Sequence, residues 1–154
     1  NNWDLDIKEA INSLSKYPSI KEIGISACKI DSIPIEIRNF QVLEKLSIGR
    51  NPKIDFGNLF INLSFLKHLK YLNINDNDLT TLPKEIGLLT SLEYLNIGQN
   101  AISTLPEEFF NLQNLKVLNI YGSPGNRISK NELSKIKSKM PNCKIIEDLV
   151  FKYN

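Results

Sequence analysis

The sequence has few of the residues on which most catalytic and metal sites depend. Its 154 residues include two cysteines and one histidine, and no C-x-x-C or similar metal-ligand spacing occurs. His68 has no Ser, Cys or carboxylate near it at a spacing that implies catalysis. No apolar run approaches the ~20 residues of a membrane span. We therefore predict a protein that is not an enzyme, that holds no metal or cofactor, and that has no membrane span.

An excess of charge of one sign is also lacking. The chain carries 19 Lys and Arg against 17 Asp and Glu, a formal net charge of +2. Nucleic-acid binding would require a clearly basic face, so we predict no nucleic-acid partner. The length is enough for one domain, and we expect a monomer.

Two short stretches have part of a known binding loop without completing it. Residues 122–125 lack the Lys-Ser/Thr of a phosphate loop. Residues 75–78 offer the oxygen ligands of a calcium loop but lack its glycine and its distal glutamate. Neither stretch changes the expectation of no cofactor and no metal.

The most prominent feature is a repeat, L-x-x-L-x-I-x-x-N-x-I-x-x-L-P, which runs from Leu92 to Pro106. Its first position recurs every 23 residues, at Leu69, Leu92 and Leu115, and an earlier copy opens at Ile20, 23 residues before Leu43. The copy at Leu43 lies 26 residues before Leu69, and its three extra residues fall between Asn51 and Phe56. A fixed period in this range is typical of solenoids.

These units resemble the leucine-rich repeat family, in the 23-residue class that carries a Leu-Pro step, over roughly Ile20 to Ile146. The resemblance implies an α/β leucine-rich-repeat solenoid: a right-handed coil with a curved parallel sheet on its concave face and short helical, 3₁₀ or extended turns on its convex face. It also implies binding to other proteins. The usage of Ile, Lys and Asn resembles bacterial members, several of them exported, which favours a secreted or cell-surface location.

We expect one domain over residues 1–154, with about five repeats in residues 20–122 between two caps. Residues 1–19 form the N-terminal cap, because Asp6 and Glu9 make a capping box before a helical stripe that Pro18 ends; Trp3 is expected to pack there. Residues 123–154 form the C-terminal cap, with a second capping box at Ser129 and Glu132, a helix that Pro141 stops, and a last strand and tail that include Leu149 and Phe151. Its lysines are read mainly as a solvated face, with an acidic partner as the alternative.

Within each unit the segment L-x-x-L-x-I alternates at the period of a strand. The asparagine that follows can hydrogen-bond the backbone of neighbouring coils, so Asn51, Asn77 and Asn100 should form a ladder. Cys28 and Cys143 stand in repeat slots five coils apart, too far for a disulfide. We read both as buried small hydrophobes.

In-register stacking turns the residues between the apolar positions into rows on the concave face. Three tyrosines, four asparagines and two cations lie in these rows and are the candidate partner-binding residues: Tyr71, Tyr94, Tyr121, Asn73, Asn75, Asn96, Asn119, Arg50 and Lys45. Aromatic and arginine side chains are enriched at binding hot spots. Two structural alternatives stay open: neighbouring tyrosines stacking on each other, and asparagines forming a mutual amide ladder.

Three functions follow in order of preference. The first is a non-enzymatic module that binds a protein partner through its concave face. The second is a structural or targeting domain of a longer exported or surface protein. The third, an enzyme domain fused to such repeats, has no support in these residues.

Overall fold

The structure, a computed structural model, describes residues 6–122 and 128–147. Within these residues six short strands form a single parallel sheet in the order of the chain, and each strand pairs with the next one. The strands are β1 Glu22–Gly24, β2 Lys45–Ser47, β3 Tyr71–Asn73, β4 Tyr94–Asn96, β5 Val117–Asn119 and β6 Lys144–Ile146. This is the solenoid that the period predicted. The degenerate last unit also contributes a strand.

The return path on the convex side consists of short helical elements, as expected from its length. Three of them are 3₁₀ turns of one type, each starting directly after a proline at its N-cap: Ile35–Asn39, Lys84–Leu88 and Glu107–Asn111. The α-helices within the described residues are α1 Ile7–Leu14, α2 Phe56–Leu63 and α3 Lys130–Lys139. In the long unit the convex element is helix α2, whose N-cap Asp55 accepts from the Asn58 N–H at 3.1 Å.

The apolar repeat positions form one continuous core between the sheet and the convex elements. Leu46, Leu72, Leu95 and Leu118, the central residues of four successive strands, are fully buried. Their neighbours in the strands face away from the core, because side chains alternate across a strand. Burial of this stripe is the main force that holds the coils in register.

Both predicted helix starts are present. Asp6 accepts from the Glu9 N–H at 2.9 Å, and Ser129 accepts from the Glu132 N–H at 3.1 Å. Glu132 departs from a simple capping box, because its buried carboxylate accepts from the Leu105 N–H at 3.2 Å and so ties α3 to the preceding coil. Helix α1 ends at Leu14, before Pro18, where Ser15 bonds the Asn12 carbonyl.

The interpretation of the cysteines was wrong in one respect. Cys28 and Cys143 are free thiols, but each is half-buried rather than buried. Cys28 takes the slot of a ladder asparagine at the solenoid's first turn, where no earlier coil covers it among the described residues. Cys143 lies just before β6, and partial burial raises the pKa of its thiol. Trp3, Leu149 and Phe151 lie outside the described residues.

Candidate binding surface

The turns that follow β2, β3 and β4 are fixed by the buried asparagines Asn51, Asn77 and Asn100. Asn77 Oδ1 accepts from the Asn51 N–H at 2.6 Å, and Asn100 Oδ1 accepts from the Asn77 N–H at 3.0 Å. The amide nitrogen of Asn77 donates to the carbonyls of Ile74 and Ile48, one in its own coil and one in the coil before. Each amide therefore satisfies backbone groups of two coils, which would otherwise be buried without partners.

The residue before each ladder asparagine adopts a left-handed conformation. Arg50, Asp76 and Gln99 have φ values of 60°, 57° and 56°. The conformation turns the chain sharply out of the strand and presents these three side chains at the rim of the sheet. Backbones of neighbouring coils also approach closely here, since a Cβ added at Gly98 would lie 2.1 Å from the Tyr121 carbonyl oxygen.

Two of the predicted tyrosines form a stacked pair at the middle of the sheet. Tyr71 and Tyr94 are directly opposite in β3 and β4, and their rings are parallel within 7° with centroids 4.5 Å apart. Both are half-buried. Burial, together with Tyr94 and Glu22, raises the pKa of the Tyr71 phenol. The stacking alternative is therefore present, and the pair stays partly exposed.

The asparagine row beside the tyrosines has a defined orientation. Asn73, Asn96 and Asn119 lie in register on β3, β4 and β5. Each turns its Oδ1 to the backbone N–H two residues further on, at 3.1, 2.9 and 2.9 Å. A mutual amide ladder is therefore the wrong description, because every oxygen is engaged locally.

In each of these three side chains the amide nitrogen lies on the side opposite to Oδ1. Asn119 Nδ2 donates weakly to the Tyr94 hydroxyl at 3.4 Å. Those of Asn73 and Asn96 have no partner within the described parts of the chain. The row consequently offers hydrogen-bond donors next to the aromatic pair.

The other candidates are distributed around this centre. Lys45 lies beside Glu22 at 3.6 Å, and Arg50 forms an ion pair with Asp76 at 3.0 Å. Asn75 donates from its Nδ2 to Gln99 Oε1 at 2.9 Å. Tyr121 is half-buried one row beyond Asn119, and no ring contact joins it to the stacked pair in the described ranges. The structure thus brings Tyr71 and Tyr94 together with the asparagine row but leaves Tyr121 separate.

A row of alternating charge, which the sequence analysis missed, borders the tyrosines on the strand-entry side. It consists of Lys21, Glu44, Lys70, Glu93 and Lys116. Glu93 lies between Lys70 at 3.5 Å and Lys116 at 2.5 Å, and Lys21 holds the pKa of Glu44 below its ordinary value. Reading the slot just before the first concave row would have found it.

The predicted basic face of α3 is largely engaged in contacts with the protein itself. Glu107 pairs with Lys135 and Lys139, the latter at 2.7 Å. These two lysines lower the pKa of Glu107 to about 2. Both lysines also lie over the Phe110 ring, and these contacts hold α3 against the last 3₁₀ turn.

The convex side carries exposed apolar side chains of its own. Ile61 and Phe65 lie one turn apart on and just after α2, and Leu88 follows on the next coil, all between 42% and 49% exposed. Arg38 lies over the Phe65 ring at 4.0 Å. These residues are a useful contrast to the concave face, because they are apolar and accessible but on the opposite surface.

The described residues contain no group of three or more His, Cys, Asp or Glu side chains placed to hold a metal ion. No helix within the same residues is both long and apolar enough to cross a bilayer. The geometry defines a repeat solenoid with an open sheet face that carries aromatic, amide and charged side chains.

Comparison with known proteins assigns the scaffold to a family. A model described as a leucine-rich repeat region matches residues 19–149. The chain therefore belongs to the leucine-rich repeat family, whose members commonly mediate protein–protein interaction. No curated protein sequence matches significantly.

Solved structures of the same fold extend well beyond this chain. A leucine-rich-repeat protein of Leptospira interrogans is 30% identical, with a TM-score of 0.68, over 86% of this chain and 32% of its own. An internalin of Listeria monocytogenes is 22% identical, with a TM-score of 0.63, over 90% of this chain and 39% of its own. The chain thus matches about a third of the first protein's length and about two fifths of the second's. TLR13, solved in complex with ssRNA13, is 23% identical at a TM-score of 0.67, over 90% of this chain and 19% of its own.

Proposed function

We propose that this protein is a non-enzymatic binding module whose concave face captures a protein partner. Tyr71 and Tyr94 are the anchors. The stacked pair is the observation that carries the proposal, because two aromatic rings held rigidly on an open sheet can bind with little loss of side-chain entropy.

The charges around the pair favour a partner that is not strongly charged. Lys45, Arg50 and the alternating row all have opposite charges within 4 Å on the same surface. The Nδ2 groups of Asn73 and Asn96 can instead donate hydrogen bonds to acceptors such as backbone carbonyls. An apolar side chain resting on the tyrosines, with carbonyl groups over the asparagine row, meets both requirements and is ordinary protein surface.

A nucleic acid is less well matched, although one structural neighbour was solved with RNA. Phosphate binding needs unpaired cations along the strand path. On this face the lysines alternate with glutamates, so no continuous basic track exists among residues 6–122 and 128–147. Stacking on Tyr71 and Tyr94 alone would bind single strands weakly.

The test is affinity capture with three versions of the chain. Wild type should retain a partner from cell extract or culture fluid, and Tyr71→Ala with Tyr94→Ala should lose it. Phe65→Ala with Leu88→Ala removes a similar apolar area from the convex side and should retain it. Loss with the convex variant only, or retention by all three, would contradict the assignment of the concave face. Circular dichroism of each variant controls for folding.

The second candidate is a structural or targeting domain of a longer exported or surface protein. The greater length of the matched relatives favours it. Under this reading no partner depends on Tyr71 and Tyr94, and the double variant would leave both capture and localisation of the native protein unchanged.

A further inference from the structure

The first coil has an open groove between α1 and β1, with a volume of about 250 Å³. Ile7, Ala10 and Leu14 line its helix wall, and Ile20 and Ile25 line the side of the strand. Although these residues are apolar, Leu14 remains 37% exposed. A surface of this kind in the plane of a sheet is suited to an added strand.

The backbone at the edge of β1 has the hydrogen-bond donors for such a strand. In the interior, the Lys45 N–H donates to the Lys21 carbonyl at 2.9 Å, and the Tyr71 N–H donates to the Glu44 carbonyl at 3.0 Å. The donors that correspond on β1 are the N–H groups of Glu22 and Gly24, because alternate residues of a parallel strand face the same neighbour. Both residues are exposed, and neither N–H has a partner within the described chain.

The helix that forms the other wall duplicates an interior element. Asp6 and Asp55 cap α1 and α2 in the same way, each accepting from the N–H three residues on. Ser15 and Ser64 end the two helices with the same backbone angles and each bonds the carbonyl three residues back. With an offset of 49 residues the apolar positions also coincide: Ile7, Ala10, Leu14 and Ile20 with Phe56, Leu59, Leu63 and Leu69.

The interior element has one component that has no counterpart among the described residues of the first coil, residues 6–20. Helix α2 is preceded by β2 of its own coil, which pairs with β3 and places the buried Leu46 in the core. In sequence the match continues upstream of α1, since Asn2 and Leu5 fall on the positions of Asn51 and Ile54; Asn2 and Leu5 lie outside the described residues. The position of β2 corresponds to residues before Asn1.

We propose that the groove between α1 and β1 binds a further parallel strand of the L-x-x-L-x-I type. This strand is contributed by a preceding coil of the same polypeptide. Its apolar residues lie between α1 and the β1 side of the groove, and its carbonyls accept from the Glu22 and Gly24 N–H groups. Helix α1 is then the convex half of a repeat of the long type. This replaces the expectation that residues 1–19 are a terminal cap.

The test supplies the strand from the chain's own sequence. A second copy of residues 38–49 fused directly before Asn1 reproduces the spacing between β2 and α2. A matched fusion carries Ser at the copies of Leu43, Leu46 and Ile48. Amide hydrogen exchange at Glu22 and Gly24 should slow at least tenfold in the first fusion relative to both the second fusion and the unfused chain. Equal exchange in the two fusions, or full protection already in the unfused chain, would overturn the proposal.

A substitution in β1 checks the donor directly. In the first fusion, Gly24→Pro removes the outward N–H and should abolish the gain in thermal midpoint over the unfused Gly24→Pro chain. Gly24→Ala should keep that gain, because a Cβ at Gly24 meets nothing within 4 Å. A gain that survives Gly24→Pro contradicts the strand. Protection by the free peptide of residues 38–49 but not by the fusion would indicate a partner's strand instead of a preceding coil, and would also overturn the proposal.

Discussion

The backbone N–H of Asn51 donates to the side-chain oxygen of Asn77 at 2.6 Å, a bond between two coils that are 26 residues apart in the chain. Both residues are buried, Asn77 at 1% exposure. Replacing Asn77 with Ala leaves the Asn51 N–H and the carbonyls of Ile48 and Ile74 without that partner. We expect a loss of about 1–3 kcal/mol in the free energy of unfolding, measured by urea denaturation. Asn111→Ala, at an exposed position, should cost far less, and equal losses would contradict the ladder.

A second prediction concerns the close approach of the coils at Gly98. The Cβ of Gly98→Ala would lie 2.1 Å from the Tyr121 carbonyl, a backbone atom that cannot rotate away. We expect destabilisation of about 1–3 kcal/mol from overpacking. Gly24→Ala is the matched control, since the space around Gly24 is open. If the two alanine variants have the same thermal midpoint, the coils do not approach as closely as described.

The stacked tyrosines predict that the free energy of unfolding falls at alkaline pH. The pKa of Tyr71 is raised in the folded protein, mainly by burial, so the unfolded chain loses this proton first. Its contribution to stability is complete below the ordinary tyrosine pKa of 10.0 and is lost as pH rises through the folded value. Urea unfolding at pH 9 and pH 11 should therefore show a steeper loss for wild type than for Tyr71→Phe. An equal loss of stability between pH 9 and pH 11 in the two proteins would show that the pKa of Tyr71 is not raised by folding.

The ion pairs between the last 3₁₀ turn and α3 predict a carboxyl group with an unusually low pKa. Lys135 and Lys139 hold the pKa of Glu107 at about 2, against an ordinary value of 4.5. Its contribution is present above pH 4.5 and is lost as pH falls towards 2. Nuclear magnetic resonance titration should place the Glu107 midpoint near 2 in wild type. In a Lys135→Met and Lys139→Met variant it should move towards 4.5; an unchanged midpoint would exclude the lysines as the cause.

The sequence was sufficient to predict the solenoid because its period places an apolar side chain at each core position. Leu72 and Leu95 are buried where alternation puts them, and Tyr71 faces Tyr94 because equal spacing means equal register. A longer helical turn at α2 was predictable from the apolar spacing of Phe56, Leu59 and Leu63 and from the missing Leu-Pro step. These are consequences of pattern and length alone.

The parts that could not be predicted depend on local backbone geometry. The left-handed turn at Arg50, Asp76 and Gln99 occurs without the glycine that usually marks it. The orientation of the amides of Asn73 and Asn96 depends on which nearby backbone N–H each oxygen can reach, so a mutual ladder was an equally good interpretation beforehand. The strand proposed beside β1 could not be predicted either, because Asp6 and Glu9 make a capping box that is equally suited to a terminal helix.

We expect the partner to rest on the stacked tyrosines and the asparagine row. The most direct measurement is photo-crosslinking, with a benzophenone amino acid placed at Asn96 on the concave face or at Leu88 on the convex face. We expect the captured partner to be crosslinked from position 96 and not from position 88. Crosslinking from position 88 alone, by protein that still captures the partner, would contradict the claim.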